Sequence, residues 1–440
     1  MNRELFGTDG VRGLAGEYPL NAEGAKRIGM AVGAHFAQPG QLVVLGRDPR
    51  ESSAELASHL TAGLNSVGVS VVSAGVMPTP GLAYITREHP EFTAGLMVTA
   101  SHNPYEYNGV KVFDANGGKL SDNTESALNQ LITEGVPAVG EGTSTENNNL
   151  VKEYENFLLS TASDLQLTNM KIAVDTANGA ASGLAERVFT ALGAAVLPLF
   201  AQPDGRNINA GCGATDIAAL QRAVLEHKLD IGIALDGDAD RVQMVDHLGR
   251  EVKGDYLLYL LAVVRQADGV VATVMSNQGF DNALKKKGIK LLRTAVGDRY
   301  VLGGLEQTGY KLGGEASGHI IFPLVLKTGD GLLAAVQTVR ALQTSGKSLA
   351  AWCDEVKLLP QALVNIPLTD KSLLDQPKIK EFVAEKNAEL KGGRLLIRPS
   401  GTEPLARIMV EAPDAHTKAQ SIATELQELL KKFAKGEHHE

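Results

Sequence analysis

The chain has 440 residues, 44% hydrophobic and 21% charged, a globular composition with room for two to four domains at roughly 100–200 residues each. Lys and Arg number 42 against 51 Asp and Glu, a net charge of −9, where a protein that coats nucleic acid would show a basic domain. Residues 1–7 hold no apolar signal core, the longest apolar run (256–264) is far short of the roughly 20 residues a membrane span needs, and Cys212 and Cys353 belong to no CxxC pair, so a reducing, cytoplasmic setting without membrane, zinc site or disulfide framework is expected.

In chain order, residues 42–46 read as a buried strand, 52–67 as a helix, and 69–73 and 96–99 as further strands. Residues 135–149 are polar and rich in Gly, Glu, Thr and Asn, and read as a linker. The alternation resumes with a strand at 171–175, a helix at 181–192 and strands at 194–197 and 231–235. A third round gives a strand at 270–275, a helix at 281–287 and a strand at 290–293. Repeated β–α–β units predict parallel or mixed sheets covered by helices. Further boundaries fall near 249–254 and 359–369, and the last piece, with strands at 394–397 and 406–411 and a helix over 417–433, is α+β.

Four stretches carry chemistry. Asp236-Gly237-Asp238-Ala239-Asp240-Arg241 follows the apolar strand 231–235. Three carboxylates at alternate positions beyond a strand's C-terminal end can converge on one hard cation, and an oxygen-only set favours Mg²⁺ over zinc or copper. A calcium EF-hand loop is ruled out, because Arg241 and His247 stand where it needs Gly and Glu. Thr99-Ala100-Ser101-His102-Asn103-Pro104 also follows a strand. Ser101 is either a turn serine or a phosphoryl carrier, whose phosphate would add charge and acceptor oxygens beside the aspartates. The flanks are not those of a hydrolase nucleophile elbow.

Gly313-Gly314-Glu315-Ala316-Ser317-Gly318-His319 packs small residues around three polar groups. Glu315 and Ser317 suit the hydroxyls of a sugar, and His319 suits proton transfer or phosphate binding. The bland alternative is a tight turn. Arg398-Pro399-Ser400-Gly401-Thr402-Glu403-Pro404, with Arg407 beyond, offers hydroxyls, a glycine loop and two guanidinium groups, the donors of a phosphate cradle, or else a charged strand–turn–strand. Smaller candidates are Thr8 and Arg12 in the glycine-rich turn at residues 6–13, and Lys111 shortly after Ser101. Gly346-Lys347-Ser348 is not a P-loop, since Ala341 stands at the required earlier glycine.

Together and in this order, these stretches resemble the α-D-phosphohexomutase superfamily, with a serine loop (99–104), a metal loop (236–241), a sugar loop (314–319) and a phosphate loop (398–402). The segments at 6–13 and 296–301 (Val-Gly-Asp-Arg-Tyr-Val) are similar to its bacterial amino-sugar branch, while Ala316 stands where that branch often carries Gln and Ala239 where Gly is common. The resemblance implies an α/β fold of four domains around a central cleft. Three are topologically similar α/β domains with mixed sheets (1–150, 151–252 and 253–365), and the last (366–440) is a C-terminal α+β domain.

The implied reaction interconverts glucosamine 6-phosphate and glucosamine 1-phosphate for peptidoglycan precursors, with a hexose bisphosphate as activator. Mg²⁺ would be held by phospho-Ser101, Asp236, Asp238 and Asp240. Lys111 and His319 would serve acid–base work or charge stabilisation, and Arg12 and Arg241 would offset charge. Thr8, His102, Glu315, Ser317, Arg398, Ser400, Gly401, Thr402 and Arg407 would bind substrate. The expected partner is a hexosamine phosphate, with a homodimer left open and neither nucleic acid nor membrane involved. Glucose or mannose phosphates as substrates, a metal-dependent phosphatase and a sugar-phosphate sensor are the competing readings.

Overall fold

The apolar run at residues 42–45 forms the strand Leu42–Arg47, interior to a seven-stranded sheet, with Val43, Val44 and Leu45 buried as in a strand covered on both faces. In this computed structural model, which describes residues 5–7, 10–368, 370–400 and 404–434, the chain divides into two units. One comprises residues 1–275 with 287–354, the other 276–286 with 355–440.

The first unit holds three sheets. The seven-stranded sheet runs, in spatial order, Phe6–Gly7, Gly10–Leu14, Tyr107–Asp114, Phe92–Val98, Leu42–Arg47, Ser70–Val76 and Ser144–Glu146. The last four are parallel and Tyr107–Asp114 is antiparallel to Phe92–Val98, so the sheet is mixed, as expected. The five-stranded sheet runs Glu251–Val252, Val242–Asp246, Ile231–Leu235, Lys171–Asp175 and Ala195–Leu199. The four-stranded sheet runs Lys290–Thr294, Gly269–Thr273, Gly313–Gly314 and Ile320–Ile321, with only the last strand antiparallel.

The serine, metal and sugar loops each leave the C-terminal end of a strand, Phe92–Val98, Ile231–Leu235 or Gly313–Gly314. That is the end at which open α/β sheets bind ligands.

Two segments differ from the sequence reading. Residues 135–149 contain the strand Ser144–Glu146, paired parallel to Val71–Ser73, and helix Asn149–Ser160 begins at their end. All three strand residues are exposed, so the strand carries no apolar alternation and reads as linker. Helix Thr79–Glu88 opens with Pro80 and Gly81, which read as breakers, yet proline is tolerated in a first helical turn.

The run 256–264 lies in helix Gly254–Val264, most of which is buried, and among the described residues no helix is long and apolar enough to cross a membrane.

The second unit is a three-stranded antiparallel sheet, Gln361–Pro367, Leu405–Glu411 and Arg394–Pro399, with helices Gln278–Lys286, Pro377–Glu389 and Ala415–Ala434. Glu411 pins it. This fully buried carboxylate accepts from Arg394 Nη2 at 3.0 Å, Gln278 N at 2.9 Å and Gln361 Nε2 at 3.2 Å. A buried charge is tolerable when paired in this way.

Candidate active site

Strand Ile231–Leu235 is buried along its length and pairs antiparallel with Val242–Asp246. The turn between them carries Asp236, Asp238 and Asp240, whose exposures are 0%, 0% and 4%. Their carboxylate oxygens lie within 4.8 Å of one another. Asp238 Oδ1 and Asp240 Oδ1 are buried without a hydrogen-bond partner, and buried anionic oxygens left so are costly unless a cation meets them. Burial, with Asp240 and Asp238 adding, pushes the Asp236 carboxyl well above its ordinary range. Burial also opposes ionisation of Asp240, but Lys111, His319 and Arg241 hold it well below that range. Orphaned, all-oxygen donors around one point fit a hard divalent cation, so the triad can hold a metal ion.

The metal loop is held from behind by the N-terminus of helix Gly331–Ser345. Gly331 N–H donates to Ala239 O at 3.0 Å, and a Cβ on Gly331 would fall 2.4 Å from Arg241 O. Asp330 caps that helix, accepting Leu333 N–H at 2.9 Å, and takes the hydroxyl of buried Tyr154 on both oxygens at 3.0 Å. Burial raises the Asp330 carboxyl to about 7.

Ser101 brings the serine loop to this triad. It is 1% exposed, and its Oγ donates to Asp236 Oδ2 at 2.7 Å across 135 positions of sequence. Its φ is +53°, a left-handed conformation that costs a non-glycine residue of order 1–3 kcal/mol and persists only where the surroundings impose it. Its N–H donates to Thr99 Oγ1 at 2.9 Å, and Thr99 Oγ1 donates to buried Asp48 at 2.7 Å. His102 Nδ1 lies 3.4 Å from Ser101 Oγ. Burial, then the charges of Arg241 and Arg12, lower His102 to about 4, so the ring is neutral at neutral pH.

Lys111, on strand Tyr107–Asp114, is 3% exposed and donates through Nζ to Asp238 Oδ2 at 2.8 Å and Asp240 Oδ2 at 2.9 Å. Thr79 Oγ1 donates to the same Asp238 oxygen at 2.6 Å. Arg241 Nε sits 3.8 Å from Asp240 Oδ1 and is buried with no hydrogen-bond partner, a donor available to an anion. Arg12 lies on strand Gly10–Leu14, paired with Gly109.

The sugar loop is a tight reversal. Glu315 N–H donates to His319 O at 3.0 Å, and Gly318 N–H donates to Glu315 O at 2.9 Å. Gly318 has φ +90°, and a Cβ there would lie 1.8 Å from Val242 O, so only glycine fits. Glu315 Oε1 accepts Gly297 N–H at 3.3 Å, and Ser317 Oγ is buried without a hydrogen-bond partner.

His319 is 4% exposed, with Nδ1 3.8 Å from Asp240 Oδ1 and Nε2 3.4 Å from Asp298 Oδ2. Lys119 also pairs with Asp298. Burial favours the neutral ring, but the two carboxylates raise His319 to about 10. Gly329 N–H points at Nε2 at 3.1 Å, a contact suited to a neutral ring. Two carboxylates outweigh one amide dipole, so the ring is imidazolium near neutrality. Lys119, Asp298, His319, Asp240, Lys111 and Asp238 thus alternate in sign through the three sheets' loops and strands.

In the second unit, Arg398 and Arg407 stand directly opposite on neighbouring strands, and Arg407 Nη2 donates to buried Ser400 Oγ at 3.3 Å. Burial, then the Arg407 charge, holds Arg398 below its ordinary value. Paired guanidinium groups of this kind favour an anion between them. Thr8, Gly401 and Thr402 lie outside the described residues.

Of the expected residues, the first unit gathers Ser101, His102, Lys111, Asp236, Asp238, Asp240, Arg241 and His319, while Arg398, Ser400 and Arg407 cluster in the second. Asp48, Thr79 and Asp298 are absent from the sequence reading. The signal for the first was present, since Arg47-Asp48-Pro49-Arg50 places charge directly after a buried strand.

Family models for phosphoglucomutase/phosphomannomutase match along the chain. Their alpha/beta/alpha domains I, II and III match residues 3–137, 150–249 and 253–358, and their C-terminal domain matches 363–429. The chain belongs to the phosphoglucomutase/phosphomannomutase family. A phosphoglucosamine mutase of Thermus thermophilus is 47% identical over 433 residues, 98% of each chain. One of Deinococcus radiodurans is 45% identical over 97% of this chain and 98% of its own. A family protein of known structure from Burkholderia thailandensis superposes with a TM-score of 0.81 at 25% identity, over 99% of this chain and 98% of that one. The expected phosphohexomutase membership and the expected fold class, three α/β domains with mixed sheets and a C-terminal α+β domain, therefore hold. As a family member the chain is an isomerase, an intramolecular phosphotransferase acting on a sugar phosphate.

Proposed function

We propose that the chain interconverts glucosamine 6-phosphate and glucosamine 1-phosphate through phospho-Ser101 and a bisphosphorylated sugar. The observation that carries the mechanism is the Ser101 hydroxyl seated 2.7 Å from Asp236, at a triad with orphaned carboxylate oxygens. Full-length similarity to phosphoglucosamine mutases, at 47% and 45% identity, favours the amino sugar.

Asp236, Asp238, Asp240 and the serine phosphate would hold Mg²⁺, which when bound supplies fixed positive charge beside the phosphoryl oxygens. In the first half-reaction the sugar's O1 attacks the phosphorus, the P–Oγ bond breaks with its electron pair left on Ser101 Oγ, and the proton lost by O1 is returned to Oγ. The bisphosphate then turns, and Ser101 Oγ takes the phosphoryl group from O6, which gains the serine proton. Lys111, Arg12 and Arg241 offset the charge in flight, and His319, held as imidazolium, serves as a charged partner rather than a base. Neutral His102 is an acceptor beside Oγ.

Glu315 and Ser317 would read hydroxyls in both orientations of the sugar. Arg398, Ser400, Gly401, Thr402 and Arg407 would hold the far phosphate, with Thr8 at the near one. A hexose bisphosphate would restore phosphate to Ser101 when it is lost. We assign the domains to residues 1–150, 151–252, 253–365 and 366–440. We place the reaction in the cytoplasm, in keeping with the buried free thiols of Cys212 and Cys353.

The test is a comparison of kcat/KM for glucosamine, glucose and mannose phosphates, with Mg²⁺ and a trace of hexose bisphosphate present. The amino sugar should lead by at least about tenfold, the scale that polar recognition in a site can supply. A lead for glucose or mannose would move the chain to another branch of its family.

A further inference from the structure

We infer that Arg50 and Asn209 are positioning residues that grip the backbone carbonyl of Ser101 and so fix the nucleophile's loop against the metal loop; the inference rests on the mutase reading above. The left-handed φ of Ser101 turns its carbonyl away from the strand. That oxygen accepts Arg50 Nη2 at 2.9 Å and Asn209 Nδ2 at 2.9 Å. The same two nitrogens reach Asn103 O, at 2.9 Å and 3.1 Å.

Arg50 is built for this task. It is 1% exposed, its Nη1 donates to Tyr107 O at 3.1 Å and to Pro104 O, and its Nε donates to Asp48 Oδ2 at 2.8 Å. All five guanidinium N–H groups are thereby engaged. Asp48 is satisfied in turn by Ser53 Oγ at 2.7 Å, Arg50 N–H at 3.1 Å and Thr99 Oγ1 at 2.7 Å. A buried polar network so completely paired makes one loop conformation strongly preferred.

Asn209 supplies the link to the metal-bearing sheet's own loops. Its Oδ1 is buried without a partner, so the amide's orientation is set by the two carbonyls its Nδ2 meets. Gly237 lies between the metal-loop residues Asp236 and Asp238. A Cβ on Gly237 would fall 2.6 Å from Ser101 O and 2.8 Å from Asn209 Nδ2. The two loops therefore touch backbone to backbone at the gripped carbonyl. The reach from Ser101 Oγ to the triad is set by that carbonyl as much as by the serine side chain. A misplacement of about 1 Å in such a site costs on the order of 10²-fold in rate.

Asn209 has φ +58°, so the test uses Asn209→Gly and Asn209→Asp, both residue types that accept a left-handed backbone. The glycine removes the donor, and the aspartate sets a carboxylate against two carbonyl oxygens. The expected result is a kcat lowered about tenfold in Asn209→Gly and further in Asn209→Asp, with KM for glucosamine 6-phosphate within about twofold. Arg50→Lys should show the same kcat-against-KM split, but Arg50 also braces the fold, so Asn209 decides.

Wild-type kcat in both Asn209 variants overturns the inference, whether or not their melting temperatures fall. A raised KM at unchanged kcat overturns it too. A wild type without mutase activity would instead defeat the functional reading. The clamp is then read from the rate at which glucose 1,6-bisphosphate phosphorylates Ser101, followed by intact mass, and the same order of variants is expected.

Discussion

Replacing Ser101 with alanine should lower kcat by at least about 10³-fold, the scale on which removal of a nucleophile usually acts. Without Oγ the protein has no acceptor for the phosphoryl group, whatever else in the site survives. The loss should come from chemistry and not from folding. The contacts that shape the loop run through the Ser101 carbonyl and N–H, which alanine keeps. The one side-chain bond lost is Oγ to Asp236, a residue whose carboxyl burial already drives toward the protonated form. One such bond is worth about 1–2 kcal/mol, a shift of a few degrees in melting temperature for a chain of this size. Steady-state assay and thermal unfolding of the same preparation check both halves. Turnover within tenfold of wild type would remove phospho-Ser101 from the mechanism.

Lys111→Met should damage both stability and rate. The ammonium is 3% exposed and lies 2.8 Å and 2.9 Å from oxygens of Asp238 and Asp240. Removing it leaves two buried carboxylates facing each other, and breaking a buried pair from one side costs roughly 3–5 kcal/mol. The metal-free protein should therefore unfold at distinctly lower urea. Added Mg²⁺ should recover part of the loss, because a cation that binds only the folded triad stabilises it by mass action. Turnover should fall about 10²-fold even with saturating Mg²⁺, since one fixed positive charge beside the moving phosphoryl group is gone. Equal urea midpoints for variant and wild type in EDTA would contradict this account of Lys111.

The core strands of the first two sheets were legible because each is an unbroken apolar run bounded by turn residues. Residues 42–46, 171–175 and 231–235 are strands in the structure at nearly those limits. Ser144–Glu146 was not, because an exposed edge strand of three polar residues has no period to detect. In the site, Asp236, Asp238 and Asp240 announce themselves by alternate spacing within one short loop. Ser101 is legible only as a loop serine after a strand, since its partner Asp236 comes from another sheet. His319 is legible as an imidazole in a glycine-rich turn, but its charge state depends on Asp240 and Asp298, contributed by other loops. The same holds for Arg50 and Asn209. Their function lies in which distant carbonyl oxygens they reach, and local sequence does not specify that.

The most direct test of the mechanism is the destination of the serine phosphate. Protein carrying radiolabelled phosphate on Ser101 is mixed with unlabelled glucosamine 6-phosphate for a single turnover, and the products are separated. The account predicts that the label leaves the protein at the rate of turnover and appears in glucosamine bisphosphate and then in glucosamine 1-phosphate. Label released as inorganic phosphate at that rate would contradict it, because the acceptor would then be water and the chain a phosphatase.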